Sequence, residues 1–190
     1  MIASAALNAN LLSGSKLNLT LRIGHPLLKP CGIRMVAMDH AGRSQVSPQE
    51  AALTATLVDS LIGQRFVDRQ ARAGVIGLNN ILVVAPYNLQ VNALKAALPD
   101  GARVGTVDKF QGQEAEVVIV SLATSSADDL PRHVDFFYSK NRLNVAISRA
   151  RTLAIVLASP KLLELDPKTV EHLRLVNTLA WLSAEAGEGM

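Results

Sequence analysis

Apolar and polar positions along this chain come in blocks rather than singly. Short runs rich in Val, Ile and Leu fall at residues 33–38, 81–85, 102–106, 117–122 and 153–157, and each reads as a strand. The run at 117–122 is continuous and largely β-branched, the mark of a strand buried on both faces at the centre of a sheet. Between the runs stand segments of helical period. Ser47, Pro48 and Glu50 form the strongest helix start in the chain: an N-cap serine, a proline in the first turn and an acid three residues after the cap, the pattern of a capping box. Leu53, Leu57, Val58, Leu61 and Ile62 are predicted to line the apolar face of that helix, with Gly63 at its end. Further helices are predicted at 89–98, 140–151, 160–165 and 170–184. Strand alternating with helix predicts an α/β fold, a mostly parallel sheet with helices on both faces joined by right-handed crossovers. Residues 1–30 show no clean period and read as a poorly defined lead-in segment. Residues 31–165 read as the folded domain, and 166–190 as a C-terminal helix with a frayed tail.

Composition narrows this picture. At 190 residues, 49% hydrophobic but only 4% aromatic, the chain suits one domain with an aliphatic core. The single cysteine, Cys31, excludes an intramolecular disulfide and any multi-cysteine metal site, so the expected compartment is the cytoplasm. No apolar stretch approaches the length of a membrane span. The formal charge of +3 is unevenly spread: residues 1–45 carry +4, 46–100 carry 0, 101–151 carry +1 and 152–190 carry −2. Such a balance permits a nucleic-acid partner without demanding one. Arg65, Arg69 and Arg72 in the polar connection at 64–80 could meet a phosphate backbone, although a solvated surface hairpin or loop is the plainer reading.

Two polar clusters flank the central strand. The first, VDKFQGQE at 107–114, follows a strand and holds Asp108, Lys109, Gln111, Gln113 and Glu114 around Gly112, more donors and acceptors than a tight turn needs. Gly112 lets the backbone approach a ligand closely, peptide N–H groups suit phosphate oxygens, and the Glu114 carboxylate can accept from a sugar diol. A polar loop at a strand end explains the same residues equally well. The second cluster lies on the helix predicted at 140–151. Leu143, Ala146, Ile147 and Ala150 form its buried stripe, Arg142 and Arg149 fall nearly in line on one edge of that stripe, and Arg151 falls on the other. An arginine so placed can reach a phosphoryl group across a cleft, or simply snorkel from a surface helix.

Together these residues resemble a known family. GTVDKFQGQE at 105–114, followed by VVIVS, is similar to motif V of superfamily 1 helicases. RLNVAISRAR at 142–151 is similar to motif VI, and VVAPYNLQV at 83–91 to motif IV, all in the family's order and spacing. The branch resembled contains the nonsense-mediated-decay RNA helicase and the replication helicase-nucleases, and within it bacterial proteins that join a RecB-like nuclease to the helicase. The resemblance covers about residues 33–165 and implies a RecA-like P-loop NTPase fold, the second of two motor domains. It implies that Arg149 is the catalytic arginine finger facing the γ-phosphate of ATP, with Gln111, Gly112 and Glu114 also on the nucleotide side. On the nucleic-acid side it implies Thr106, Asp108, Tyr87, Asn88 and Gln90, though a structural role capping the strand end fits Tyr87 equally well. The implied cofactors are ATP and Mg²⁺, held mainly by a first motor domain. The implied partners are that domain, in cis or in trans, single-stranded DNA or RNA, and a RecB-like nuclease domain.

The sequence also departs from the family's pattern. The phosphate-loop spacing G-x-x-x-x-G-K-[ST] occurs nowhere, so the chain lacks its own Walker A; Gly14-Ser15-Lys16 only superficially resembles one. Asp128-Asp129 lies in a polar loop rather than after an apolar strand, and no YRMHP-like motif or nuclease carboxylate cluster is found. The expectation is therefore the C-terminal half of a helicase, with no metal site of its own and no ATP hydrolysis in isolation. A non-enzymatic nucleic-acid-binding module and a truncated helicase relic remain the alternatives.

Overall fold

The computed structural model describes residues 27–28, 31–67, 72–126, 128–130, 140–164 and 170–185. Five of its strands, β1 (Gly32–Ala37), β4 (Ile81–Val84), β5 (Arg103–Gly105), β6 (Ala115–Ser121) and β7 (Ala150–Ala158), form one parallel sheet in the order β1-β7-β6-β4-β5. All seven residues of β6 are buried, as its unbroken apolar run predicts for a central strand. β2 (Arg65–Val67) and β3 (Ala73–Val75) pair as a small antiparallel hairpin apart from the main sheet, so the plainer reading of 64–80 holds. Arg69 and most of the lead-in segment lie outside the described residues.

Helices cover both faces. Val83, Val117, Ile119, Leu153 and Ile155 point to one side and pack with Leu57, Val58 and Leu61 of α1 (Pro48–Leu61) and Val91 and Leu94 of α2 (Asn88–Ala97). Leu82, Val84, Val118, Val120, Ala154 and Val156 point to the other. There they meet Val107 and Phe110 of a 3₁₀ turn (Val107–Phe110), Leu143, Ala146 and Ile147 of α3 (Lys140–Ser148), and Leu179 and Leu182 of α4 (Val170–Glu185). This strict alternation along the strands divides the interior into two apolar layers.

Several boundaries differ from the sequence reading. α3 ends at Ser148, not at 151, and β7 begins at Ala150, three residues before the strand expected at 153. The cause is tertiary. Arg149 N–H bonds back to the Ala146 carbonyl at 3.2 Å, tightening the last turn. Ala150 then falls opposite Ala115 in the sheet, and pairing overrides the helix preference of Ala and Arg. The segment expected as a helix at 160–165 is one 3₁₀ turn, Pro160–Leu162. On α1 the buried stripe runs Glu50, Thr54, Leu57, Val58 and Leu61, while Ile62 lies beyond the helix and is 41% exposed.

Candidate functional site

Polar chemistry gathers at both edges of the sheet, and the cluster at 107–114 joins them. Gly105 is level with Val84, and Val84 with Val120, so the end of β5 lies five strand positions beyond Ala115, the start of β6. At about 3.3 Å per residue the chain from Thr106 to Glu114 therefore travels roughly 16 Å across the sheet. No helix makes this crossover. The 3₁₀ turn does, pinned by buried Phe110 and by Lys109 Nζ donating to the Val104 carbonyl at 3.0 Å.

At the end of that crossover, beside the first residues of β6 and β7, Gln111, Gly112, Gln113 and Glu114 are exposed. Gln113 N–H closes the turn onto the Phe110 carbonyl at 3.0 Å, and Gly112 has φ +76° with nothing within 4 Å of where a Cβ would sit. Only conformation, not crowding, demands glycine there. Gly112→Ala is expected to cost about 1 kcal/mol of stability, the penalty of a left-handed alanine, measured by urea denaturation; an unchanged midpoint would contradict the geometry. Arg103 braces the same turn, donating to Gln113 Oε1 at 2.8 Å and to the Asn79 carbonyl at 2.6 Å.

The next residue fixes the arginine. Ala115 N–H donates to the Arg149 carbonyl at 3.0 Å, so the end of the glycine turn and the start of β7 are tied together. Arg149 is half-buried, and its Nε is buried without a hydrogen-bond partner among the described residues. A guanidinium donor left unused inside a fold is costly unless a ligand or partner completes it. Arg151 behaves differently. Its Nε meets Glu114 at 3.1 Å and its Nη1 meets Glu116 at 3.2 Å, while Asn80 donates to the other oxygen of Glu116 at 2.8 Å. The hydrogen bond that Arg151 donates to Glu114 is the largest cause that raises the Arg151 pKa above its ordinary value, against a smaller opposing effect of desolvation. With both partners of the Glu114 pair about half exposed, the bridge orients the carboxylate more than it stabilises the fold.

The opposite edge holds Thr106, Tyr87 and Asn88. Ala85 N–H donates to the Gly105 carbonyl at 3.1 Å, bringing the ends of β4 and β5 side by side. Tyr87 OH lies 3.2 Å from Thr124 Oγ1, which donates to the Ser44 carbonyl at 2.7 Å, so the tyrosine does brace the strand end, and Asn88 is exposed at the first position of α2. Asp108 is exposed on the crossover and pairs with Arg142 at 3.4 Å. Gln90 does not join this surface. It is 0% exposed, accepts from Ser47 N–H at 2.8 Å and donates to Ser121 Oγ at 2.8 Å, so its amide is spent inside the fold.

That glutamine belongs to a buried network which sequence reading missed. Glu50 Oε2 accepts from Ser121 Oγ at 2.6 Å and from Ala123 N–H at 2.9 Å, and its Oε1 lies 2.8 Å from His40 Nε2. His40 Nδ1 in turn lies 2.7 Å from Ser125 Oγ, which also accepts from Arg43 N–H at 3.0 Å. The tautomer with Nε2–H on Glu50 and the Ser125 hydroxyl donating to Nδ1 satisfies every atom. Ser47 caps α1 as expected, accepting from Glu50 N–H at 3.2 Å, but the Glu50 side chain does not return to the cap; Gln90 takes that N–H. Ser125, His40 and Glu50 have the order of an acyl-transfer triad, yet Ser125 is 0% exposed and its hydroxyl is fully engaged, so the arrangement is structural. The available signal was periodic: Glu50 and Thr54 share the spacing of Leu57, Val58 and Leu61.

A five-stranded parallel sheet covered on both faces, with a glycine turn and arginines gathered at its strand ends, fits the architecture of a RecA-like P-loop NTPase domain. The profile of the AAA domain family matches residues 31–161, and the chain belongs to that family as a superfamily 1 helicase-like domain. It is 31% identical over 166 residues to the DNA-binding protein SMUBP-2 of Mesocricetus auratus, 85% of this chain and 15% of that one. It is 36% identical over 99 residues to the RNA helicase Mov10l1 of Homo sapiens, 48% of this chain and 8% of that one. With mov-10-B.2 of Danio rerio it shares 32% identity over 127 residues, 58% of this chain and 12% of that one. The chain thus spans less than a sixth of each relative.

Proposed function

We propose that this domain is the second motor domain of an ATP-dependent superfamily 1 DNA or RNA helicase, in the branch of the nonsense-mediated-decay and replication helicase-nucleases. The observation that carries this reading is the crossover from Thr106 to Glu114, which runs between the two polar edges and is bonded to Arg149 at its far end. A segment that touches a bound strand at one end and a nucleotide at the other couples the two without an intervening hinge.

The residues present fit part of a nucleotide site. Arg149 offers an unspent guanidinium donor, Gly112 an exposed turn without a Cβ, and Glu114 an exposed carboxylate already oriented by Arg151. Arg149 would face the γ-phosphate, Gln111 and Gly112 the phosphate and sugar side, and Glu114 the ribose hydroxyls. ATP supplies the phosphoryl group whose developing charge an arginine stabilises. Mg²⁺ fits less well. Among the described residues no group of three or more His, Cys, Asp or Glu could hold a metal ion; in this reading a first motor domain would hold it. Thr106, Tyr87 and Asn88 would line the strand side; that there is a strand to bind is in keeping with similarity to a DNA-binding protein and an RNA helicase.

The test mixes this chain with a separately expressed first motor domain of a relative and follows ATP hydrolysis with and without single-stranded DNA and RNA. The expected result is no turnover by the chain alone and strand-stimulated turnover by the pair. Demonstrated docking without turnover would instead favour a binding module.

A further inference from the structure

From its place and its unused donor we infer that Arg43, in the loop after β1, is a phosphate-contacting residue that extends the strand path across the sheet edge from β5 to β6; this rests on the helicase reading above. The loop at 39–46 is not loosely attached. Arg43 N–H donates to Ser125 Oγ at 3.0 Å, and Ser125 N–H returns to the Arg43 carbonyl at 2.8 Å. Next to it, Thr124 Oγ1 donates to the Ser44 carbonyl and lies 3.2 Å from Tyr87 OH. Arg43, Thr124, Tyr87, Asn88 and Thr106 therefore follow one another along the edge where β6, β4 and β5 end. The backbone of Arg43 is fixed through Ser125 to the buried His40 and Glu50, so its side chain starts from a rigid base.

The guanidinium itself is unspent. Arg43 is half-buried, its Nε is buried with no hydrogen-bond partner, and its side chain forms no ion pair among the described residues. Several other charged side chains, by contrast, are already committed. Arg142 is paired with Asp108, Lys109 Nζ is on the Val104 carbonyl, and Asp129 Oδ2 accepts from Ser126 Oγ at 2.6 Å. A planar donor on a fixed backbone, lacking an internal acceptor among the described residues, suits a phosphodiester oxygen.

The experiment titrates a fluorescent 20-nucleotide oligo-dT and an oligo-U of the same length with the full chain, wild type, Arg43→Ala, Arg43→Lys and Asn88→Ala, at several salt concentrations. Arg43→Ala should weaken both strands alike by about tenfold at low salt, the effect of one charge-assisted contact. It should also flatten the slope of log affinity against log salt by about 0.7, the value for one phosphate of a single strand. Arg43→Lys should keep the slope. The thermal midpoint of Arg43→Ala should not move, because only backbone atoms of Arg43 bond to the fold. Unchanged affinity and slope in Arg43→Ala, with binding weakened by Asn88→Ala, would overturn the role of Arg43 and leave the helicase reading intact. No strand binding by the wild-type chain, alone or paired with a first motor domain, would overturn both.

Discussion

Arg149→Ala should lower the strand-stimulated ATP turnover of the paired motor by about three to five orders of magnitude, the range for arginine fingers. The loss should fall on kcat rather than on KM, since the side chain is asked to meet charge that develops only during phosphoryl transfer. Stability should hardly change. The bond that ties the turn to β7 uses the Arg149 carbonyl, which alanine retains, and the buried Nε that is removed has no partner to lose. Arg149→Lys should not restore the rate, because an ammonium cannot reproduce the planar fork of a guanidinium. By contrast Arg151→Ala should act on KM, since Arg151 orients Glu114, the carboxylate proposed to meet the ribose. Stopped assays across ATP concentrations separate the two. An Arg149→Ala motor turning over within tenfold of wild type would remove the finger from the mechanism.

The contrast between these two arginines shows where sequence was sufficient and where it was not. The resemblance to motifs V and VI implied one group of Gln111, Gly112, Glu114 and Arg149, and the sheet register brings these residues to one edge. The strands were legible because Val and Ile runs have no competing reading at the centre of a parallel sheet. The helix end at Ser148 was not, since Arg149, Ala150 and Arg151 all favour helix and only pairing with Ala115 draws the last two into β7. Hence the helical wheel put Arg149 and Arg151 on opposite edges of a stripe. In the fold Arg149 stays in the turn that closes α3 and only Arg151 enters β7, so the wheel describes neither side chain. Gln90 failed for a related reason. Its spacing to Leu94 puts it on the apolar face of α2, a signal that motif matching ignores, and there it meets Ser47 and Ser121, both distant in the chain.

Glu50 gives the second large effect, on stability rather than turnover. Glu50→Ala should cost about 4 kcal/mol, because the buried donors of His40, Ser121 and Ala123 lose their acceptor together and each unsatisfied group costs about 1–3 kcal/mol. For a domain of this size that corresponds to a fall of roughly 10 °C in Tm. Glu50→Gln keeps one acceptor oxygen and should lose less, and Ser121→Ala least of all, about 1 kcal/mol, because Glu50 keeps its other donors and Gln90 Nε2 keeps the Ser47 carbonyl. This order distinguishes a hydrogen-bond hub from simple helix capping, in which Ser121→Ala would have no effect. The consequence reaches the surface. Ala123 is held at φ +65°, a costly left-handed conformation for alanine, by its N–H bond to Glu50, and it leads directly into Thr124 and Ser125, which carry Tyr87 and the Arg43 loop. Glu50→Gln should therefore weaken single-strand binding even at temperatures where the domain stays folded, by loosening the edge rather than removing any contact from it. Calorimetry and strand titration on the same samples test this. A Glu50→Ala domain within 1 kcal/mol of wild type would mean that the strand end holds its shape without the buried acid.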